Sequence, residues 1–221
     1  MDRILPLPKV VRSALITQFY PSQGAPIDPQ TLPNILGTVE NKHCLARTYL
    51  GKEEGQVIAK ERFSLRNFPL DLKSMERLGL EVASLAGSMG KAFALMHWGA
   101  GVNGDDVEFV LGTSIVPGPG DGELGHQHRA VGFYLLDFGQ CDLIDLSRDP
   151  EDVYQAFKGA MVTGDNQLFI PHYRKSPALF AVFKGEYMRA GEFIVKEKKL
   201  DTKFKMADFM REYEEYAEDF L

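Results

Sequence analysis

The sequence predicts an α+β domain with a helix-rich second half, and two kinds of periodicity carry that reading. Short runs such as "HCLARTYLG" and "VEFVLG" alternate apolar and polar residues, as half-buried strands do. Longer segments, "LDLKSMERLGLEVASLAGSMGKAFALMH" and "KMADFMREYEEYAEDFL", repeat apolar residues near helical spacing. At 221 residues and 44% hydrophobic content, the chain has ample material for a core. The expected organisation is one domain over 1–221. Residues 1–70 form a helix and strand portion, and 71–221 a helical portion with a hairpin.

The elements follow in order. "PKVVRSALITQFYP" places Val10, Val11, Ala14, Leu15 and Phe19 on one helical face, closed by Pro21. Residues 21–41 are rich in proline and turn formers and read as an irregular connection. "HCLARTYLG" is a strand, "KEEGQ" a turn and "VIAKERFSLRNFPL" a second strand, together an antiparallel pair. Pro69 and Asp71 precede one long helix running from Leu72 to His97. Gly79, Gly87 and Gly90 lower its intrinsic propensity and mark it for close packing by a neighbour.

An acidic loop and the strand "VEFVLG" follow. The glycine-rich 116–128 segment then connects to the apolar run "AVGFYLLDFGQCDLIDL", so a hairpin is expected. "DPEDVYQAFKGAM" opens with the acids favoured in a helix's first turn. The remainder is helical in composition apart from "FIPHYRKSP". The terminal helix carries Met206, Phe209, Met210, Tyr213, Tyr216 and Phe220 on one broad stripe.

The net charge of −6 is unevenly spread. From Tyr173 to Lys205 nine Lys/Arg face four Asp/Glu, whereas from Met206 onward one Arg faces six acids. The basic segment is either a solvated helix face or a local contact for an anionic partner. Cys44 and Cys141 lie far apart with no CxxC, a usage that fits a reducing compartment and buried thiols. The first 21 residues carry charge and three prolines, and no long apolar run. No signal peptide or membrane span is expected, and a cytoplasmic location is.

The chemistry concentrates in "MHWGAGVNGDDVEFVLG". Asp105, Asp106 and Glu108 set three carboxylates where a loop becomes a strand. Such neighbours raise one another's pKa unless a cation sits among them. A divalent ion, an ammonium or a guanidinium would relieve the repulsion, and carboxylates pair with guanidinium bidentately. One of them would also serve as a general base on an amine. The plainer alternative has Asp105 capping a turn, Asp106 capping the strand entry and Glu108 facing solvent; against it, Glu108 alternates with Val107 and Phe109 and so lies on the face opposite those apolar residues.

Other candidates are weaker. His126 and His128 form an HxH without the further Cys/His ligands of a zinc site. His97 suits a helix C-terminus, where its charge is favoured. Asp142 and Asp145 read as turn acids, and Ser64 and Ser114 have no assignable His-Asp partners. No cofactor or metal is expected.

The order of long helix, His, acidic loop, strand, turn and strand ending in Asp137-Phe138-Gly139 resembles the C-terminal lobe of protein kinases and aminoglycoside phosphotransferases. There the Asp of Asp-Phe-Gly holds magnesium, and Asp106 falls near the place of the metal-binding Asn. The chain departs from that pattern: no His-Arg-Asp triplet follows the helix, and no glycine-rich loop or phosphate-pairing lysine precedes it. A complete ATP-binding N-lobe is therefore not expected, and ATP-dependent phosphoryl transfer is disfavoured.

"RILPLPKVVRSALITQFYP", "NKHCLARTYLG", "FSLRNFPLDLKSMERLGLE", "MHWGAGVNGDDVEFVLG" and "LLDFGQC" together resemble a large fungal family of uncharacterised kinase-like proteins, some labelled zinc finger proteins. The likeness spans about residues 3–170. Within that family the chain looks similar to the fungal arginine-containing cyclodipeptide synthases. The resemblance implies an ATP-independent aminoacyltransferase that joins arginine to a second amino acid, taking both from aminoacyl-tRNA. Their acidic motif is Asp-Asp-x-x-Glu; here Asp105-Asp106-Val107-Glu108 is one residue shorter. It implies catalytic roles for Asp105, Asp106 and Glu108, and a substrate-binding role for Asp137, with His97 and Trp98 beside them. A local tRNA contact would fall to Lys196, Lys198, Lys199, Lys203 and Lys205. The expected partners are arginyl-tRNA and a second aminoacyl-tRNA. The rival expectation is a catalytically inactive kinase-like binding module, and a third is an interaction protein using the aromatic C-terminal helix.

Overall fold

The computed structural model describes residues 3–21, 27–55, 58–116 and 128–220. It is an α+β structure whose chain divides into two compact units. The first comprises Met1–Thr48, Gly55–Leu70 and Val110–Tyr134, and the second Tyr49–Glu54, Asp71–Phe109 and Leu135–Leu221.

The first unit opens with α1 (Lys9–Phe19), which buries Leu15 and Ile16. It ends at Tyr20, whose extended backbone is what a following proline requires. Residues 31–42, expected to be irregular, instead form two short helices, α2 (Thr31–Gly37) and α3 (Val39–Lys42). Buried Asn41 explains their persistence. Its amide donates to Ile35 O at 2.8 Å and its oxygen accepts from Leu65 N at 2.6 Å, so it fastens both helices to the following loop.

The sheet consists of β1 (Ala46–Tyr49), β2 (Phe68–Asp71), β3 (Glu108–Val116) and β4 (His128–Leu136), in the order β2-β1-β3-β4. β1 and β3 are antiparallel, with Ala46 opposite Leu111 and Arg47 opposite Val110. The second strand is much shorter than expected. Residues 60–62 form a 3-10 turn, and pairing begins only at Phe68. β3 and β4 are neighbours, as the hairpin expectation requires, but β4 lies at the sheet's edge and none of its residues is fully buried despite its apolar composition. His128 begins it; His126, with most of the glycine-rich tip, lies outside the described residues.

In the second unit the single long helix expected over 72–97 is two. Asp71 caps α4 (Leu72–Arg77) by accepting from Ser74 N. The chain then leaves helical geometry at Gly79, whose φ of +68° suits glycine alone at low cost. α5 (Val82–Ala94) follows and widens into a π-helical turn, Leu95–Ala100, closed by left-handed Gly101. After it come α6 (Pro150–Val162), α7 (Asn166–Phe169), α8 (Pro177–Glu197) and α9 (Met206–Phe220).

The glycines of α5 do admit a neighbour. A Cβ on Gly90 would lie 2.2 Å from Phe183 O and 3.0 Å from Tyr187 N, so the α8 backbone occupies that space. On α9, Met206, Phe209, Met210 and Tyr213 are buried as the stripe implies, whereas Phe220 is exposed. Among the described residues, no helix is long and apolar enough to cross a membrane.

Candidate functional site

His97 and Trp98 end the helix that leads into the acidic loop, and both are 0% exposed. His97 Nε2–H donates to the carbonyl of Asn103 at 3.0 Å, which leaves Nδ1 to accept from Tyr187 O–H at 2.8 Å. The same Tyr187 oxygen accepts from Trp98 Nε1–H at 2.9 Å. The imidazole stacks on Phe157 at 4.2 Å with planes 5° apart. Burial pulls the His97 pKa down to about 3, only partly offset by the bond to Asn103. This corrects the substrate-binding expectation for both residues. Their polar atoms are spent on a buried core network, and burial keeps His97 neutral near pH 7.

That network sets the loop after the helix. Asn103, held by its own carbonyl to His97, accepts through Oδ1 from Asp142 N at 2.8 Å and from Asp105 N at 3.3 Å. Backbone bonds from Asn103 N to Asp142 O and from Ile144 N to Gly101 O zip residues 101–103 to 142–144. From the other side, Asn166, 0% exposed, donates to Gly104 O at 2.7 Å and to Ala160 O at 2.8 Å. Three segments, 101–106, 140–145 and 163–166, therefore converge on the two aspartates.

Both aspartates are half-buried and oriented by neutral donors. Asp105 Oδ1 accepts from Thr163 Oγ1 at 2.9 Å. Asp106 adopts φ +52° and accepts through Oδ1 from Asp165 N at 3.0 Å and through Oδ2 from Gln140 Nε2 at 2.6 Å. A left-handed non-glycine residue persists only where its surroundings fix it, and here two hydrogen bonds do. Gly164, at φ +54°, makes room: a Cβ there would sit 2.6 Å from Asp106 Oδ1. Among the described residues, neither aspartate is ion-paired with Lys, Arg or His, and Asp105 Oδ2 accepts no hydrogen bond. Glu108 is half-buried between buried Val107 and Phe109, on the opposite face of the strand as its alternation implies. The described residues contain no group of three His, Cys, Asp or Glu placed to hold one metal ion.

Asp137 is exposed and left-handed at φ +64°. Its turn joins the loop through Gln140. Cys141 donates its thiol to Asp105 O at 3.5 Å; burial first, then the Asp105 charge, push its pKa up, so it stays a thiol near neutrality. Asp145 is the turn acid expected, accepting from Ser147 N and Oγ, both at 2.8 Å.

Lys198 donates to Gly99 O, Lys203 to Leu146 O and Ser147 O at 3.0 and 2.7 Å, and Lys205 to Asp201 O. Those ammonium groups satisfy carbonyls at helix ends and turns. Lys196 and Lys199 are exposed.

Thr163, Asp165 and Asn166 lie outside the sequence motifs, 58 or more residues from the loop positions they hold, and Gln140, though within "LLDFGQC", gives no local sign of its bond to an acid 34 residues away. Asn103, by contrast, stood inside the quoted motif. Comparisons with family models, with curated proteins and with solved structures found no match.

Proposed function

We propose that the chain is an ATP-independent aminoacyltransferase that makes an arginine-containing cyclic dipeptide from arginyl-tRNA and a second aminoacyl-tRNA. The observation that carries the reading is the pair Asp105 and Asp106: adjacent, half-buried, fixed by Thr163, Gln140 and Asp165 N, and uncompensated by any cation among the described residues. Two anions held this way favour an incoming positive group.

In this reading Asp105, through Oδ2, takes the guanidinium or deprotonates the α-amine of the arginyl group. Asp106, with both oxygens already anchored, still has lone pairs for a second contact. The freed amine attacks the ester carbonyl of the other aminoacyl-tRNA, forming one amide and releasing one tRNA hydroxyl. The second amine then attacks the remaining ester, closing the ring and releasing the other tRNA. Two ester bonds break and two amide bonds form, so no ATP is consumed. Glu108 and exposed Asp137 supply further negative charge. The tRNA contact falls to exposed Lys196 and Lys199, because Lys198, Lys203 and Lys205 serve backbone carbonyls. A cytoplasmic site of action, where charged tRNA is available, belongs to the same proposal.

The test is incubation of the purified chain with arginyl-tRNA and a pool of other charged tRNAs, followed by mass spectrometry. An arginine-containing diketopiperazine is expected from the wild type, and none from Asp105→Asn. Its absence from the wild-type reaction overturns the assignment.

A second reading, an inactive kinase-like binding module, draws on the bond that ties the Asp137-Phe138-Gly139 turn to Asp106. It expects a thermal shift with magnesium and ATP that Asp137→Asn abolishes, and no turnover.

A further inference from the structure

A second feature of the same unit, built by none of the acidic-loop residues, is an open cavity of about 500 Å3 walled by the 51–54 turn, α4 and the 167–175 segment. Its walls are fixed by backbone. Gly51 N donates to Leu168 O at 2.9 Å, Leu72 N to Lys52 O at 2.9 Å and Lys73 N to Glu53 O at 3.1 Å. Gly51 is required for this closeness: a Cβ there would lie 2.3 Å from both Gln167 O and Ile170 O.

The lining is charged and sorted. Lys52, Lys73 and Lys175 supply donors. Lys73 is paired with Glu54 at 3.1 Å and Glu53 at 3.5 Å, whereas Lys52 and Lys175 stand in no ion pair among the described residues. His172 accepts at Nδ1 from Arg174 N at 3.1 Å, and its Nε2 is buried away from the opening. Glu53 and Glu54 add acceptors, and so does Gln167, whose amide nitrogen is engaged by Gly164 O at 3.2 Å. Leu168 is the one apolar side chain of the lining.

A wall of this kind selects among ligands. Cations in excess of the internally paired Lys73 call for an anion, and lysine ammonium groups suit phosphate. The volume lies in the range of small-molecule sites and exceeds what a bare phosphate fills. The acceptors need donors from the ligand, which hydroxyl groups provide. An aromatic base would find no aromatic face among the lining beyond His172. We propose that this cavity binds a small phosphorylated polyol, its phosphate held by Lys52 and Lys175 and its hydroxyls by Glu53, Glu54 and Gln167.

Calorimetric titration of the full chain tests this with glucose 6-phosphate, ribose 5-phosphate and glycerol 3-phosphate as probes. Glucose, inorganic phosphate and a single-stranded RNA oligonucleotide serve as comparators. At least one phosphorylated probe should bind saturably, about tenfold or more tighter than inorganic phosphate, with no binding of glucose. Reversing both lysines, Lys52→Glu with Lys175→Glu, should weaken that binding roughly tenfold or more while circular dichroism is unchanged. The neutral pair Lys52→Gln and Lys175→Gln gives the same reading should the reversal disturb folding. The proposal is overturned by silence from all three phosphorylated probes, or by affinity indifferent to the lysines. RNA binding tighter than any of them, with the same lysine dependence, also overturns it.

Discussion

Gln140 donates its side-chain amide to Asp106 Oδ2 at 2.6 Å, and so binds the turn after β4 to the acidic loop before β3. The two segments of the chain richest in chemical suggestion thus meet, although 34 residues separate them. The contact holds a strained left-handed aspartate in place. Gln140→Ala should therefore act on the geometry of Asp106 and leave its charge. In the diketopiperazine assay, product formation is expected to fall about tenfold, against a near-complete loss in Asp106→Ala. Equal activity of wild type and Gln140→Ala would detach this contact from catalysis.

Thr163 plays the corresponding part for Asp105, through an exposed hydrogen bond of 2.9 Å. Removing one such bond costs about 1 kcal/mol or less in stability. Thr163→Val should lower the midpoint of urea unfolding only slightly and cut product formation by roughly tenfold, chiefly in kcat. A large stability loss with unchanged kcat would make Thr163 a structural residue alone.

Much of this arrangement was legible in the sequence, and the losses have physical causes. Val107, Glu108 and Phe109 alternate in burial as their types dictate. The stripe of α9 is buried where apolar spacing is regular and fails at Phe220, where the helix ends. The helix break at Gly79 was hidden because apolar spacing runs on through it, while backbone geometry there is decided by φ alone. In the sequence His97 reads as a helix C-terminal histidine with its charge favoured, and both it and Trp98 instead belong to the buried core. Their partner Tyr187 lies 89 and 90 residues on and was invisible to local pattern. The edge position of β4 is likewise a property of the sheet, since composition does not say which strands acquire two neighbours.

Tyr187 is the hinge of the buried network: its oxygen accepts from Trp98 and its proton goes to His97 Nδ1. Tyr187→Phe would preserve the ring stacking yet strand two buried polar atoms. Each orphaned group costs about 1–3 kcal/mol, so a loss on the order of 3 kcal/mol is expected in denaturant unfolding. A change under about 0.5 kcal/mol would mean that other partners satisfy both atoms.

The same network predicts acid sensitivity. Unfolded, His97 titrates near its ordinary 6.5; folded, burial holds it at about 3. Between those values the unfolded chain binds a proton that the folded chain refuses, so this contribution is full above pH 6.5 and drains away as pH falls toward 3. The slope from this one group is about 1.4 kcal/mol per pH step, totalling on the order of 5 kcal/mol. Urea unfolding of wild type and His97→Gln from pH 7 to pH 5, above the ordinary range of the carboxylates, separates it from the other histidines. His97→Gln should be less stable at pH 7 and nearly flat across that interval. A wild type equally flat would show that His97 accepts its proton within the fold.

Close helix packing gives the last test, because two glycines on facing helices should respond oppositely. A Cβ on Gly90 of α5 meets Phe183 O at 2.2 Å, a backbone atom that cannot rotate away. Gly185 of α8 has nothing within 4 Å of the same atom. Gly90→Ala must push the helices apart and should cost several kcal/mol, more than the gain in helix propensity returns. Gly185→Ala keeps only that gain, about 1 kcal/mol, and should raise Tm by a few degrees. Calorimetric melting of the two variants decides the matter. Stabilisation by both substitutions would mean that α5 and α8 are not in backbone contact at Gly90, and that the glycines serve some end other than packing.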